Sequence, residues 1–151
     1  MCAKAIGNGD FGEPISTPNA PLVLSAPGSM CSATFIQIGK PTSSNNCAQF
    51  TKEEAWNLIK YMQTRFFRCL LDCLKITQDV NPAKFAFVPV QNFSSQSDID
   101  WTKPLNEIDE QLFKKYQLSN DEINFINDNV QSQGNYYATL PKNFDLSQNK
   151  Q

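Results

Sequence analysis

The chain has 151 residues, 40% of them hydrophobic and eleven of them Phe, which suits one globular domain with a buried core and excludes a disordered protein. Its formal net charge of −2 counts against a free-standing nucleic-acid binder, because attraction to phosphate dominates such binding. The sequence contains no His, which excludes Ser-His-Asp and Cys-His catalytic arrangements.

The cysteines indicate reduced thiols and no metal site. No C-x-x-C pair occurs among the five cysteines, and zinc needs about four Cys, His or carboxylate ligands at close spacing. Cys69 and Cys73 are spaced i,i+4 in an apolar helical pattern, where thiols act as small hydrophobic side chains. The apolar stretches are far shorter than the ~20 residues of a membrane span, and no signal peptide is recognised. We therefore expect a cytoplasmic protein with no membrane contact.

Residues 1–30 are predicted to be a coil-rich leading segment, because they are rich in Gly, Pro, Ser and Asn. The run Gly7-Asn8-Gly9-Asp10-Phe11-Gly12 superficially resembles a dinucleotide-binding loop. It lacks the preceding strand and following helix that would confirm that motif, so it is interpreted as turn-rich coil. A globular domain rarely begins with so little regular structure, and we expect the sequence to belong to a larger parent protein.

Two short strands are predicted, Ala33–Ile38 and Phe85–Val90. Both segments are rich in β-branched and aromatic residues. The first strand is followed by Gly39 and Pro41, which mark its end. Pro89 cannot donate a backbone hydrogen bond, so the second strand should lie at a sheet edge or end there.

The most regular pattern is a long amphipathic helix over residues 51–77. Thr51 with Glu54 three residues later is a capping box, in which each side chain accepts a backbone N–H of the other residue. Apolar residues then recur at three- and four-residue steps and form one stripe. Neither Pro nor Gly interrupts the pattern before Pro82, so one continuous helix is predicted, packed on two sides. The stripe consists of Ala55, Leu58, Ile59, Met62, Phe66, Leu70 and Cys73, and it is widened by Trp56, Phe67, Leu71 and Leu74.

Two shorter helices, Glu107–Tyr116 and Asn120–Asn129, are predicted beyond the second strand. The second opens at Ser119 with Glu122 three residues later, which is again a capping box. Their apolar residues would close a shared face. These residues are Leu105, Ile108, Leu112, Phe113, Leu118, Ile123 and Ile126.

The predicted fold class is α+β: a small β-sheet packed on one long amphipathic helix, followed by a C-terminal two-helix hairpin. Residues 31–130 would form this domain, after the leading segment of residues 1–30. Residues 131–151 would be a polar tail.

The sequence carries no catalytic motif. A glycine-rich phosphate loop followed by Lys and Ser or Thr is missing. The acidic pairs Asp98-Ile99-Asp100 and Asp109-Glu110 lack the Lys at the spacing of a metal-dependent nuclease core, so they are interpreted as solvated loop and cap carboxylates. The two short helices are acidic, which favours a packing hairpin over a DNA-binding helix-turn-helix.

The candidate binding residues lie on or beside the more polar edge of the long helix. Arg can contact phosphate or guanine through two parallel hydrogen bonds, and Gln can contact adenine. The commoner role of such residues is a solvated helix face. The candidates are Lys60, Gln63, Thr64, Arg65 and Arg68.

Six segments share a family pattern: Ala26–Phe35, Tyr61–Arg68, Thr77-Gln78, Phe85–Ser94, Asp98–Trp101 and Ile108–Ile123. In this order they resemble the C-terminal region of the restriction-modification N6-adenine DNA methyltransferases of the large type II class. They span about residues 26–130 of the chain. Their joint order is more specific than any single segment.

Three departures from the family pattern matter. Cys31-Ser32-Ala33-Thr34 replaces the usual Cys-Thr-Glu-Thr, and Gln117 replaces a Gly that would favour a left-handed helix end. The Asn-Pro-Pro-Tyr motif that holds the target adenine is absent, as is the glycine-rich loop for S-adenosylmethionine. No cofactor is therefore expected in this chain, and S-adenosylmethionine is expected only in the parent enzyme.

The resemblance implies a non-catalytic DNA target-recognition domain or fragment, whose parent would be a site-specific adenine methyltransferase. Its partners would be double-stranded DNA and a methyltransferase catalytic domain, in the same or another chain, which would flip the adenine. Lys60, Arg65 and Arg68 would contact phosphates. The candidate base readers or positioners would be Gln63, Thr64, Thr77 and Gln78, and Lys84 is a further candidate DNA contact.

An alternative is a protein–protein interaction module. In that hypothesis the long helix docks on a methylase or nuclease partner through Trp56, Phe67 and Leu71. A third hypothesis, an intrinsic nuclease, has no motif to support it.

Overall fold

The computed structural model describes residues 2–3, 10–15, 22, 24, 30, 32–39, 50–74 and 80–133. These residues are mostly helical. The helices are α1 (Lys52–Gln63), α2 (Arg65–Cys73), α3 (Pro82–Phe85), α4 (Leu105–Lys115) and α5 (Asn120–Asn129). The strands β1 (Cys2–Ala3) and β2 (Phe35–Ile36) pair antiparallel, with Cys2 opposite Ile36. None of the helices in this part of the chain combines the length and the apolar character that crossing a bilayer requires.

The predicted α+β fold is wrong, because no small β-sheet packs on a long helix in the described residues. Of the predicted strand Ala33–Ile38, only Phe35–Ile36 pairs, and the two residues before it form a turn. The predicted strand Phe85–Val90 is not formed: its first residue ends α3, and turn and coil follow. Strand propensity alone does not make a sheet, since every strand needs a paired neighbour.

Side-chain contacts to the backbone explain why the predicted strand Phe85–Val90 does not form. Asn81 caps α3 by accepting the N–H of Lys84, and Pro82 occupies the first helical position, where its fixed φ favours a helix. Farther along, the carbonyl oxygen of Pro89 accepts hydrogen bonds from the Tyr61 hydroxyl at 2.8 Å and from the Gln91 amide at 3.1 Å. Side chains thus take a backbone acceptor that a neighbouring strand would otherwise use.

The predicted long helix is two helices, interrupted at Thr64. Thr64 has an extended backbone, with ψ of 152°, and is both the C-cap of α1 and the N-cap of α2. Its hydroxyl donates to the carbonyl of Tyr61 at 2.7 Å and accepts the N–H of Phe67 at 3.2 Å. Helix α2 ends at Cys73, and residues 75–77 of the predicted helix lie outside the described residues.

Helix α2 is the centre of the helical packing, because α1, α4 and α5 all contact it. It buries Phe66, Phe67 and Leu71, so it is apolar on more than one side. The two C-terminal helices occur where they were predicted, and each packs on α2. The capping boxes predicted at the starts of α1 and α5 are confirmed, with both reciprocal hydrogen bonds present in each.

The irregular segment of residues 86–104 is held against α1 by polar side chains on one face of that helix. Asn57 donates to the carbonyl of Phe93 at 2.9 Å, Lys60 donates to the carbonyl of Trp101, and Tyr61 donates to that of Pro89. The rings of Phe93 and Trp101 lie 5.4 Å apart, and both lie within 6.0 Å of the Tyr61 ring. Helix α1 therefore orders a long connection that has little regular structure of its own.

Helix α4 ends in a Schellman motif with a non-glycine residue in the left-handed region. Gln117 has φ of +53°. Its N–H donates to the carbonyl of Lys114 at 3.2 Å, and the N–H of Leu118 donates to that of Phe113 at 3.0 Å. This is the position at which the methyltransferase pattern has Gly.

We expect Gln117→Gly to raise the free energy of unfolding by about 1 kcal/mol, because a residue with a Cβ atom is strained in the left-handed conformation. Chemical denaturation in urea would measure the change. The matched control is Glu110→Gly, at an exposed position in the middle of α4, where Gly should cost roughly 0.5–1 kcal/mol. A Gln117→Gly protein that is no more stable than the original would contradict the strain.

Candidate functional site

The break between α1 and α2 brings together four of the predicted DNA-binding residues. They are Gln63, Thr64, Arg65 and Arg68. Gln63, Thr64 and Arg68 expose only 2%, 0% and 1% of their surface, and Arg65 is half-buried. Of these four residues, Arg65 is accessible to DNA in this structure, whereas contact with the other three would require the interior to rearrange.

The remaining predicted contacts lie elsewhere. Lys60 is half-buried on α1, where its amine donates to Trp101, and burial lowers the pKa of that amine. Lys84 is half-buried in α3. Thr77 and Gln78 lie outside the described residues.

The N-terminus of α2 is closed by a carboxylate from α4. The first N–H groups of a helix have no partner within the helix. Asp109 accepts two of them, from Arg65 at 3.1 Å and from Phe66 at 2.9 Å. The third, from Phe67, is accepted by Thr64. Helix N-termini attract phosphate in many proteins, but here a buried carboxylate of the same chain already occupies that position.

The guanidinium of Arg68 joins three separate parts of the chain. It lies in the interior, and all of its acceptors among the described residues are backbone carbonyls. These are the carbonyls of Gly12 at 3.0 Å, Glu13, Gln63 and Thr64 at 3.3 Å each, and Gln131. The leading segment, the helix break and the chain after α5 therefore converge on one side chain.

At Gly12 the backbone of the leading segment lies directly against the backbone of Asn129 and Val130. The N–H of Gly12 donates to Asp72 at 2.8 Å, and the φ of this residue is +78°. A Cβ atom there would lie 2.1 Å from the carbonyl oxygen of Asn129, so only Gly fits. Phe11 and Gly12, at the end of the glycine-rich run, thus form a turn, as predicted. The carbonyl of Gly12 accepts a hydrogen bond from Arg68.

Burial shifts the pKa of two charged side chains in the interior, Arg68 and Asp109. Desolvation lowers the pKa of Arg68 from 12.5 to about 10, although Asp109 and Asp72 oppose the shift. Desolvation likewise raises the pKa of Asp109 from 3.8 to about 6, against the N–H groups of Phe66 and Arg65 and the positive charge of Arg65 and Arg68. At neutral pH both groups are charged and hydrogen-bonded inside the protein. This arrangement joins chain segments and presents no nucleophile to solvent.

Sequence reasoning missed Asp109. The sequence predicts a solvated carboxylate at this position, but Asp109 exposes 4% of its surface. The available signal was its position in α4: it lies three and four residues before Leu112 and Phe113, which places it beside the buried apolar stripe. A carboxylate at such a position needs an internal partner.

The docking residues of the alternative hypothesis, Trp56, Phe67 and Leu71, are buried in the core and form no outer surface. Across the described ranges, no group of three or more Cys, Asp or Glu side chains is arranged to hold a metal ion.

Comparison with protein-family models, curated proteins and solved structures returned no match for this chain. The resemblance to the methyltransferases therefore stays a prediction, carried by the six segments alone.

Proposed function

We propose that this chain is a non-catalytic DNA target-recognition part of a restriction-modification adenine methyltransferase. One observation supports the proposal: segments that carry the resemblance pack directly on one another. Asp109 of the last segment accepts from the backbone of Arg65 and Phe66 in the second. Tyr61 is also in the second segment. Its hydroxyl donates to Pro89 in the fourth segment, and its ring packs on Trp101 in the fifth. Four of the six segments thus contact one another in the folded chain.

Burial changes which residues would contact DNA in this proposal. Arg65, Lys60 and Lys84 are half-buried cations and can approach a phosphate. Gln63, Thr64 and Arg68 would act as positioning residues, since they build the helix break that sets the start of α2. Arg65 is the first residue of α2, and its guanidinium donates to Asn127 of α5, so its side chain lies across two helices.

The test is binding of the full chain to labelled duplex DNA, measured by fluorescence anisotropy over a series of salt concentrations. Each lost phosphate contact should reduce the slope of log affinity against log salt by about 1. We therefore expect the double variant Arg65→Ala, Lys84→Ala to bind more weakly and with a slope reduced by about 2. The matched control is Lys103→Ala, Lys114→Ala, which removes the same charge from two exposed positions and should change the slope little.

Two results would contradict the assignment. The first is a chain that binds no duplex even at low salt. The second is an equal loss in both double variants, which would indicate a general charge effect. Cleavage of a plasmid in Mg²⁺ would replace the proposal with a nuclease function.

A second candidate function, protein–protein interaction, is favoured by a different observation. The described residues form an apolar groove that is open to solvent beside α2 and α5.

A further inference from the structure

An open apolar groove lies between α2, α5 and the segments that flank α4 and α5 in the chain. Its volume is about 600 Å³, which falls within the roughly 300–1,000 Å³ of binding clefts. Phe66 and Leu70 line it from α2, and Phe125 and Ile126 line it from α5. The groove is therefore built from two helices that pack on each other.

Large apolar side chains at this groove are exposed to solvent. Phe87 is 70% exposed and Phe125 is 51% exposed, and both line it. Tyr116, which stacks on Phe66 at 4.9 Å between ring centroids, also faces it. Exposed aromatic residues gathered at one concave surface indicate an interaction site rather than the scattered apolar residues of any protein surface.

The walls of the groove indicate that its occupant is helical. The backbone groups of α2 and α5 pair within their own helices or with capping side chains such as Asp109, Thr64 and Ser119, so the two walls offer no strand edge for pairing. An extended peptide would bring unpaired backbone groups into an apolar surrounding, which is unfavourable. A helix satisfies its own backbone and can place side chains at i, i+3, i+4 and i+7 in the groove.

The charge at the groove indicates a basic edge on that helix. The charged residues among its described lining are Asp121 and Glu122, in the first turn of α5. Hydrogen bonds from Ser119 hold the pKa of Glu122 below its usual value, so this carboxylate is ionised at neutral pH. A Lys or Arg of the occupant would be attracted, whereas an acidic peptide or a nucleic-acid backbone would be repelled.

We propose that this groove binds an amphipathic α-helix of a partner polypeptide, whose apolar stripe enters the groove and whose Lys or Arg pairs with Asp121 and Glu122. This inference deepens the second candidate function and does not depend on DNA binding. The two proposals have separate readouts, so either can fail alone.

The probe is a synthetic peptide of roughly 18 residues, or five helical turns, with a Leu stripe and Lys residues at its edge. One control peptide scrambles the same composition and loses the stripe, and another replaces the edge Lys with Glu. We expect the Leu-stripe peptide to bind the full chain at least about tenfold more tightly than either control by fluorescence anisotropy, as the loss of a central anchor usually costs that much.

Variants of the chain locate the binding surface. Phe87→Ser and Phe125→Ser alter exposed side chains and should weaken binding of the peptide by about tenfold each, the usual effect of losing an aromatic anchor. The matched control is Val90→Ser, because Val90 is equally apolar and is 88% exposed but does not line the groove. Asp121→Lys leaves one negative and one positive charge at the groove, so it should abolish the preference between the Lys-edged and Glu-edged peptides. Thermal melting checks that each variant is folded.

Cys73 supplies a readout inside the groove. Its thiol is exposed and lines the groove, so a bound helix should slow its alkylation by iodoacetamide, measured by mass spectrometry of the Cys73 peptide. Equal binding of the scrambled peptide, equal weakening by Val90→Ser, or unprotected Cys73 would overturn the proposal. So would displacement of the peptide by duplex DNA. A dimer in sedimentation equilibrium that Phe87→Ser dissociates would assign the groove to a second copy of the chain instead.

Discussion

Replacing Arg68 with Ala should lower the free energy of unfolding by about 3–5 kcal/mol, which is the usual effect of breaking a buried charge network. The substitution removes the donor to carbonyls in three parts of the chain, including those of Gly12 and Gln131. It also leaves the buried carboxylate of Asp109 without a nearby positive charge that favours its ionised form. Urea denaturation of the full chain, followed by circular dichroism, would measure the loss.

The matched control is Arg65→Ala, three residues away on the same helix. Arg65 is half-buried and donates to one side chain, Asn127, so its removal should cost about 1 kcal/mol or less. Arg68→Lys keeps the charge, but an ammonium cannot replace the planar fork, so it should recover only part of the loss. If the Arg68→Ala protein has the same free energy of unfolding as the original chain but no longer binds DNA, Arg68 is a direct DNA contact after all.

Stability should fall as the pH rises from about 4 to about 6 through the ionisation of Asp109. Its pKa in the folded protein is about 6 and its ordinary value is 3.8, so the folded state binds more protons than the unfolded state in this window. Stability decreases with pH wherever the folded state binds more protons. The difference in pKa corresponds to roughly 3 kcal/mol, present below pH 4 and lost above pH 6.

The measurement compares the original chain with Asp109→Asn by urea denaturation across that window. The Asn variant cannot ionise, so the difference in unfolding free energy between the two proteins should fall as the pH rises and then level off. Asp98→Asn is a control of opposite sign, because the hydrogen bond from Lys115 lowers the pKa of Asp98, and its contribution should grow as the pH rises. A difference for Asp109 that is flat or increases with pH would refute the assigned shift.

Features that depend on neighbouring residues were predictable from the sequence. The two capping boxes each join residues three positions apart, so Thr51 and Ser119 mark the starts of α1 and α5 wherever the helices pack. The apolar periods likewise placed α4 to within two residues at each end and α5 to the residue. The apolar stripe across α1 and α2 predicted Ile59, Met62 and Phe66 as core, and all three are buried.

Only the tertiary structure decided the break at Thr64 and the burial of Arg68. A helix can be interrupted where other groups accept the free N–H groups at the new N-terminus. Here the carboxylate of Asp109, 44 residues along the chain from Arg65, is that acceptor. Distant contacts also bury Arg68: an Arg beside an apolar stripe has the same local pattern whether it faces solvent or donates to carbonyls such as those of Gly12 and Gln131. Likewise, residues 85–90 have the composition of a strand, but the carbonyl of Pro89 bonds to side chains instead of to a neighbouring strand. Local sequence thus determined where the helices begin, whereas contacts between distant residues determined which polar side chains became part of the interior.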